Sequence, residues 1–283
     1  MDPASADSAQ QATMHAVVLL KQILDWELPP SKFRIDPETK RPPDDLGPTL
    51  LGPFEQNALE LALQLRDAGV VGRITAVLAG PAGAVDALRK ALALRCDEAV
   101  HVEAEAGDLD DPSQVAELLV AAIRRLEPPA LVLAGRQAGD WDHGQVGYLV
   151  AERLGLPAVG LVWRAEQSDG RLHVWRSGNA GVEQLAVRPP ALLTVTSHPS
   201  LQLRMGSVVD RMAANKKPIT HWTPDELGLA REQLAAARRL ELAEVWVPEV
   251  ERRCELFEGE DPAEVVAAVL GRLDELKLLT MPA

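Results

Sequence analysis

The sequence predicts an α/β fold of three layers, with helices on both faces of a mostly parallel sheet and an antiparallel extension after it. Three observations carry this. Short apolar runs recur at His15 to Leu20, Arg73 to Ala79, Ala99 to Glu103 and Ala130 to Ala134, as in strands buried on both faces. Stretches of helical period separate them, and strands alternating with helices at this spacing make βαβ units. Glycine-rich turns stand where strand gives way to helix, most plainly at Gly135 to Gly147.

Residues 1–13 are polar and rich in Ala, Ser and Gln, and read as a disordered lead. The first strand, His15 to Leu20, delivers Lys21 to Asp25 to its C-terminal tip, which is the ligand edge of a parallel sheet. Leu28 to Leu51 is a long Pro-, Asp- and Lys-rich excursion, with Arg34-Ile35-Asp36 as a short strand. Gly52-Pro53 opens an amphipathic helix, Phe54 to Ala68, because proline suits a first helical turn. The strand Arg73 to Ala79 turns at Gly80-Pro81-Ala82-Gly83 into a helix, Ala84 to Leu94. A third strand, an acidic loop (Glu105 to Asp111) and a helix, Ser113 to Leu126, lead to the strand Ala130 to Ala134. Right-handed crossovers bring all of these turns to one sheet edge.

From Ala158 the pattern changes to strands at Ala158 to Ala165, Arg171 to Arg176, Val182 to Val187 and Ala191 to Thr196, joined by short turns and read as an antiparallel extension. Ser197 to Pro218 shows no period. Glu226 to Leu240 reads as helical, Val245-Trp246-Val247 as an edge strand, and Pro262 to Leu276 as a helix whose apolar face either folds back or docks on another chain.

With 283 residues, 47% of them hydrophobic, the chain has enough apolar material for one good core and perhaps an appended smaller unit. A net charge of −13 argues against nucleic-acid binding, and no run is long enough to insert into a membrane. No charged-then-apolar leader is seen, and Cys96 and Cys254 have no metal or redox spacing. Both thiols are expected to be reduced in or near packed elements, as in a cytoplasmic protein.

The turn Gly135 to Gly147 is the first candidate site. Glycines let backbone approach an anion, and the following helix N-terminus offers unpaired N–H groups. The other reading is a plain tight turn, since neither the GxGxxG spacing nor a phosphate-loop lysine is present. Asp140 and Asp142 suit hydroxyl or amide recognition, or capping of the helix. Lys21 either pairs a phosphate or is solvated. His143 reads as a nucleotide neighbour or an exposed side chain, because no acid–base or nucleophilic partner stands beside it. Trp222 and Trp246 read as packing residues, with an interface role as the alternative. Met205 and Met212 read as ordinary surface or packing.

Four stretches resemble the β subunit of electron-transfer flavoproteins, over about residues 14–229. Leu19-Leu20-Lys21-Gln22-Ile23-Leu24-Asp25 is similar to the family's first strand and lysine turn. Gly52 to Glu60 is similar to its "NPF/DPF…A-[LV]-E" segment. Gly135 to Gly147 is similar to its "GxQAxDxDxxQxG" turn, the most specific of the four. Arg204 to Ile219 resembles its recognition segment.

The resemblance implies an adenine-nucleotide-hydrolase-like domain over residues 14–200, a partner-recognition arm at 201–220 and a segment at 221–283 that packs on the α subunit. It places a nucleotide site on Leu19, on Gly52, Pro53, Phe54 and Glu55, on Ala79, and on Asp140, Trp141, Asp142, His143, Gly144, Gln145, Val146, Gly147, Tyr148, Leu149, Val150 and Ala151. The strand-tip and turn residues Lys21, Asp25, Gly80, Gly135 and Gln137 adjoin it. The implied ligand in this chain is AMP, or a second FAD in electron-bifurcating members. The redox FAD lies mainly in the α subunit.

The implied function is electron carriage in a heterodimer, from an acyl-CoA-type or other flavin dehydrogenase, as in fatty acid oxidation, through FAD to a quinone oxidoreductase. The alternatives are an NADH-dependent bifurcating complex and a non-redox nucleotide sensor. Docking to the dehydrogenase falls on Arg204, Met205, Val208 and Met212, with Val208 as the anchor. Departures are Val208 where leucine is usual, Ala213 and Asn215 at usually basic places, and the bulky Trp141. Ile23-Leu24-Asp25-Trp26 also lacks the "VPDT" turn of bifurcating relatives, although GDWDHGQVG stands nearer the second-FAD class.

Overall fold

The computed structural model describes residues 13–43, 45–248 and 254–279. In chain order its strands are β1 (Met14–Leu20), β2 (Gln22–Leu24), β3 (Thr49–Leu51), β4 (Val71–Gly80), β5 (Glu98–Glu103), β6 (Leu131–Gly135), β7 (Ala158–Ser168), β8 (Arg171–Gly178), β9 (Gly181–Val187), β10 (Ala191–Val195) and β11 (Thr220–Trp222). The helices are α1 (Pro53–Asp67), α2 (Val85–Ala93), α3 (Pro112–Arg125), α4 (Val146–Leu154), α5 (Val208–Ala214), α6 (Arg231–Ala237) and α7 (Pro262–Glu275). Residues up to Val245 form one compact unit, and Trp246–Ala283 forms a second.

Nine strands make the main sheet in the order β11-β5-β4-β1-β6-β10-β7-β8-β9, and all pairings from β11 to β7 are parallel. The alternation along β1 shows why it is central. Ala16, Val18 and Leu20 enter one apolar cluster with α1 and α2, while Val17 and Leu19 enter another with α3 and α4. A strand buried on both faces has no polar side to show, hence the unbroken apolar run. The chain order β1, β4, β5 builds to one side of β1 and β6 then starts the other side. The sheet therefore switches direction at the β1–β6 boundary, and such a switch opens a crevice at the carboxyl ends of the strands.

Several expectations are corrected. Ala191 to Thr196 does not belong to the antiparallel extension: β10 pairs parallel with both β6 and β7, and all five of its residues are buried. Among the described residues of the main sheet only β7-β8-β9 pair antiparallel, with one face half-wet. Arg34-Ile35-Asp36 is no strand; an isolated bridge joins Asp36 to Arg41, with Asp36 Oδ1 capping the turn by accepting from the backbone N–H of Glu38 and Thr39. The excursion is partly paired instead by β2 against β3.

Ser197 to Pro218 holds a 3-10 turn, Pro199–Leu201, and α5, whose Ser207 cap accepts from Asp210 N at 3.0 Å. Helix α6 is confined to Arg231–Ala237: Gly228 leaves the helical region at φ 76°, and the flanking Ala230 and Arg238 are extended. Val245, Trp246 and Val247 form no strand. The edge is β11, where His221 meets His101 across the ladder at 3.1 Å. Trp222 packs under Arg125, whereas Trp246 is 68% exposed. Cys96 is buried, and burial pushes its thiol up to about 12, while Cys254 is exposed. The lead at residues 1–12 lies outside the described residues.

In the second unit Val266 and Leu270 of α7 are exposed. Among the described residues no helix is long and apolar enough to cross a membrane, and no group of three or more His, Cys, Asp or Glu is placed to hold a metal.

Candidate functional site

A cleft of about 850 Å3, its open mouth included, lies at the switch point. Its floor is the tips of three neighbouring parallel strands: Leu19 and Leu20 of β1, Ala79 and Gly80 of β4, Ala134 and Gly135 of β6. One wall is the turn after β6, with Gln137, Ala138, His143 and Gly144, running into Val146 and Gly147 at the start of α4. The other wall is apolar, from Leu109, Pro112, Val115 and Leu119. Glu55, in the first turn of α1, closes the base.

Glycine is required at two of these positions. A β-carbon at Gly135 would stand 2.9 Å from Phe54 Cβ and 3.1 Å from Glu55 N, and one at Gly147 would stand 2.9 Å from Thr194 Cγ2. Contacts this short demand that something move. The turn holds itself: Ala138 N donates to His143 O at 3.0 Å, Asp142 N to Ala138 O at 3.1 Å, and Gln137 Nε2 to Asp142 Oδ1 at 2.6 Å. Asp142 takes the left-handed backbone at φ 54° that closes it, which short polar side chains tolerate. The Trp141 and His143 rings stack at 6.2 Å.

Lys21 Nζ donates to Asp140 Oδ1 at 2.7 Å, with each side chain about one-third exposed, so the ammonium is held at the cleft rim. Asp140 Oδ1 also accepts from Trp141 N at 2.9 Å. Glu55 is 6% exposed, its Oε2 has no hydrogen-bond partner, and burial pushes its carboxyl up to about 7 against the pull of Lys21.

The structure thus brings Leu19, Lys21, Glu55, Ala79, Gly80, Gly135, Gln137, His143, Gly144, Val146 and Gly147 to one cleft. Gly52, Pro53 and Phe54 stand behind it. Gly52 N donates to Lys21 O at 3.0 Å, Pro53 backs Gly139, and the Phe54 ring lies 4.8 Å under the Arg136 guanidinium. Trp141, Asp140 and Asp142 shape the turn without lining the floor. Gln145 precedes α4 and its carbonyl accepts from Leu149 N.

Other named residues lie elsewhere. Asp25 Oδ1 accepts from Glu27 N at 2.9 Å in its own loop. Tyr148 turns its hydroxyl onto Gly160, Leu149 packs against the core, and Val150 and Ala151 are inside it. The apolar α3 wall was missed, although Val115 and Leu119, one helical turn apart, were signal enough. Gln22 was missed as an organiser: its Nε2 donates to Gly83 O at 3.1 Å and its Oε1 accepts from Ala87 N at 3.1 Å.

On the arm, Met205, Val208 and Met212 are exposed, joined by Val209. Arg204 is not free. Its Nη2 donates to Glu60 Oε1 at 2.8 Å and its Nη1 to Asp67 Oδ2 at 2.6 Å, and these hydrogen bonds raise its pKa.

Fold and cleft define a mostly parallel α/β protein with a cleft at the switch point. Residues 45–227, more than half of the chain, match the electron transfer flavoprotein domain. The chain is 33% identical over 268 residues to the electron transfer flavoprotein subunit beta of Thermoanaerobacterium thermosaccharolyticum, covering 92% of this chain and 98% of that one. It is 31% identical over 267 residues to the caffeyl-CoA reductase-Etf complex subunit CarD of Acetobacterium woodii, covering 94% of this chain and 100% of that one. Protein FixA of Azorhizobium caulinodans is 32% identical over 223 residues, 76% of this chain and 77% of its own. The chain belongs to the electron transfer flavoprotein β-subunit family.

Proposed function

We propose that this chain is the β subunit of a heterodimeric electron carrier, and that its cleft holds an adenine nucleotide while its arm docks on a flavin dehydrogenase. The observation that carries this is the glycine-walled cleft at the tips of β1, β4 and β6, inside a chain that aligns nearly end to end with an electron transfer flavoprotein subunit beta.

The residues present fit the group. Leu19, Ala79, Val115 and Ala134 offer apolar surface for a purine, and backbone at Gly135, Gly144 and Gly147 lies open to a phosphate. The N-termini of α1 and α4 add donors and a positive dipole end, and Lys21 adds a charge at the rim. A flavin held by the α subunit supplies electron acceptance and release. This chain orients the assembly, keeps the nucleotide out of water and presents the apolar arm.

The test is co-expression with an α subunit, followed by denaturation and counting of released flavin and AMP. The carrier reading expects one flavin and one AMP per heterodimer. A second reading, FAD in the cleft of an NADH-linked complex, is favoured by full-length alignment with a subunit of a caffeyl-CoA reductase-Etf complex. It expects two flavins and bleaching by NADH. A stable lone chain that binds nucleotide but recruits no flavin would instead favour a sensor.

The arm has its own test. Val208 is 63% exposed at the first turn of α5. Val208→Asp is expected to lower the rate of reduction by the dehydrogenase at least about tenfold, the cost of setting a charge against an apolar pocket, with nucleotide content unchanged. Equal rates in the variant would remove Val208 as the anchor.

A further inference from the structure

We propose that Glu55 meets the bound nucleotide as a neutral acid, sharing its proton with a phosphoryl oxygen, so that nucleotide capture takes up one proton from solvent. This rests on the nucleotide reading of the cleft and adds a determinant of when the cleft will hold its ligand.

The geometry comes first. Glu55 is the third residue of α1 and is nearly sealed, yet its carboxyl is part of the cleft lining. It lies between two glycines. A β-carbon at Gly52 would collide with Oε2, and one at Gly135 would stand 3.1 Å from Oε1. Oε2 has no hydrogen-bond partner among the described residues. A carboxylate left there would hold its charge in a dry place with Oε2 unpartnered, its own backbone N–H and Lys21 offsetting only part of the cost, whereas a carboxylic acid has one hydrogen to give and needs only an acceptor. An anion arriving at the glycine wall supplies that acceptor.

The charged and titratable groups around Glu55 agree with this. The backbone N–H of Glu55 itself and then Lys21, just past the end of β1, favour the ionised form, and Asp140, in the turn after β6, opposes it. That cation is already paired with Asp140 at 2.7 Å, so little of its charge is left for Glu55. His143 lines the same wall, and Arg136 is turned over Phe54. The β4 tip and α3 present Ala79, Gly80, Leu109 and Val115, none of which titrates. Burial outweighs the attraction and brings the Glu55 carboxyl to about 7. A phosphate beside it would raise it further, because a like charge disfavours ionisation.

The sign follows. The free chain is largely ionised at Glu55 above pH 7 and the complex is protonated, so binding consumes a proton and weakens as pH rises. The limiting slope is about tenfold in Kd per pH unit above pH 8.

The experiment is titration calorimetry of the full chain with AMP at pH 8, in HEPES and in Tris, whose ionisation enthalpies differ. Nearly one proton is expected to be taken up per AMP bound. Glu55→Gln keeps a donor but no titrating group, and is expected to bind with no uptake and a flat pH dependence from 7 to 9. FAD is the second probe, since its pyrophosphate does not titrate near neutrality, and the same uptake is expected with it.

Wild-type binding without uptake overturns the inference, and this reading does not depend on the variant folding. Uptake that persists in Glu55→Gln puts the proton on the ligand and overturns it too. Failure of the wild-type chain to bind AMP or FAD at any pH overturns the nucleotide reading itself.

Discussion

Arg204→Ala is expected to cost about 3 kcal/mol of folding stability, far more than an exposed arginine on a docking arm would. The reason is Glu60, which is 4% exposed in the middle of α1. Arg204 covers it with a fork of hydrogen bonds from Nε and Nη2 and with its backbone N–H at 3.1 Å. Removing the guanidinium leaves that buried carboxylate with only neutral donors, the backbone N–H of residue 204 and Gln64 Nε2, and a buried charge without its counter-charge costs about 3–5 kcal/mol. Urea denaturation of the two chains measures the difference. Arg204→Ala combined with Glu60→Gln should recover much of the loss, because the second change removes the stranded charge. A loss below about 1 kcal/mol in the single variant would mean that solvent screens the pair, as it does surface ion pairs. The segment is therefore fixed at Arg204, and beyond it Gly206 lies against Ala93 and Asp210 accepts from Arg95.

Gly135→Val is the second large effect. Its side chain would be driven into Phe54 Cβ and into the backbone N of Glu55, neither of which is the end of a flexible chain. Overpacking of this kind costs about 1–3 kcal/mol. Here it also displaces the first turn of α1, and with it the Glu55 carboxyl that lines the cleft. Nucleotide affinity is expected to fall on the order of a hundredfold, about 2.7 kcal/mol. The circular dichroism of the sheet should persist. Retention of a full complement of nucleotide by the folded variant would move the site away from the β6 tip.

What the sequence disclosed depended on how local its physics was. The tips of β1, β4 and β6 were legible because strands buried on both faces leave unbroken apolar runs and glycine marks their ends. The parallel pairing of β10 was signalled by Ala191 to Val195, apolar apart from Thr194, where β7 to β9 alternate; the strand was nonetheless grouped with its neighbours in sequence. Strand β11 gave no local sign. It is three residues, Thr220-His221-Trp222, recruited by β5 more than a hundred residues away.

At the site, the glycine turn could be read directly and carried the resemblance. The burial of Glu55 could not, since a glutamate in a first helical turn is ordinarily a solvated partner of the helix dipole. Only the fold of the β6 turn against α1 seals it. Arg204 was taken as an arm residue for the same reason: Glu60 lies 144 positions from it in sequence, and nothing local links the two.

The place of β10 governs how the chain is made. It is synthesised after the hairpins of β7 to β9, yet it fills the gap between β6 and β7 and lays Thr194 against Gly147. While the ribosome has delivered only the first 190 residues, β6 has a bare edge and α4 lacks its backing. Such an edge invites pairing with another nascent chain. Any truncated version intended to fold alone must therefore run at least through Val195.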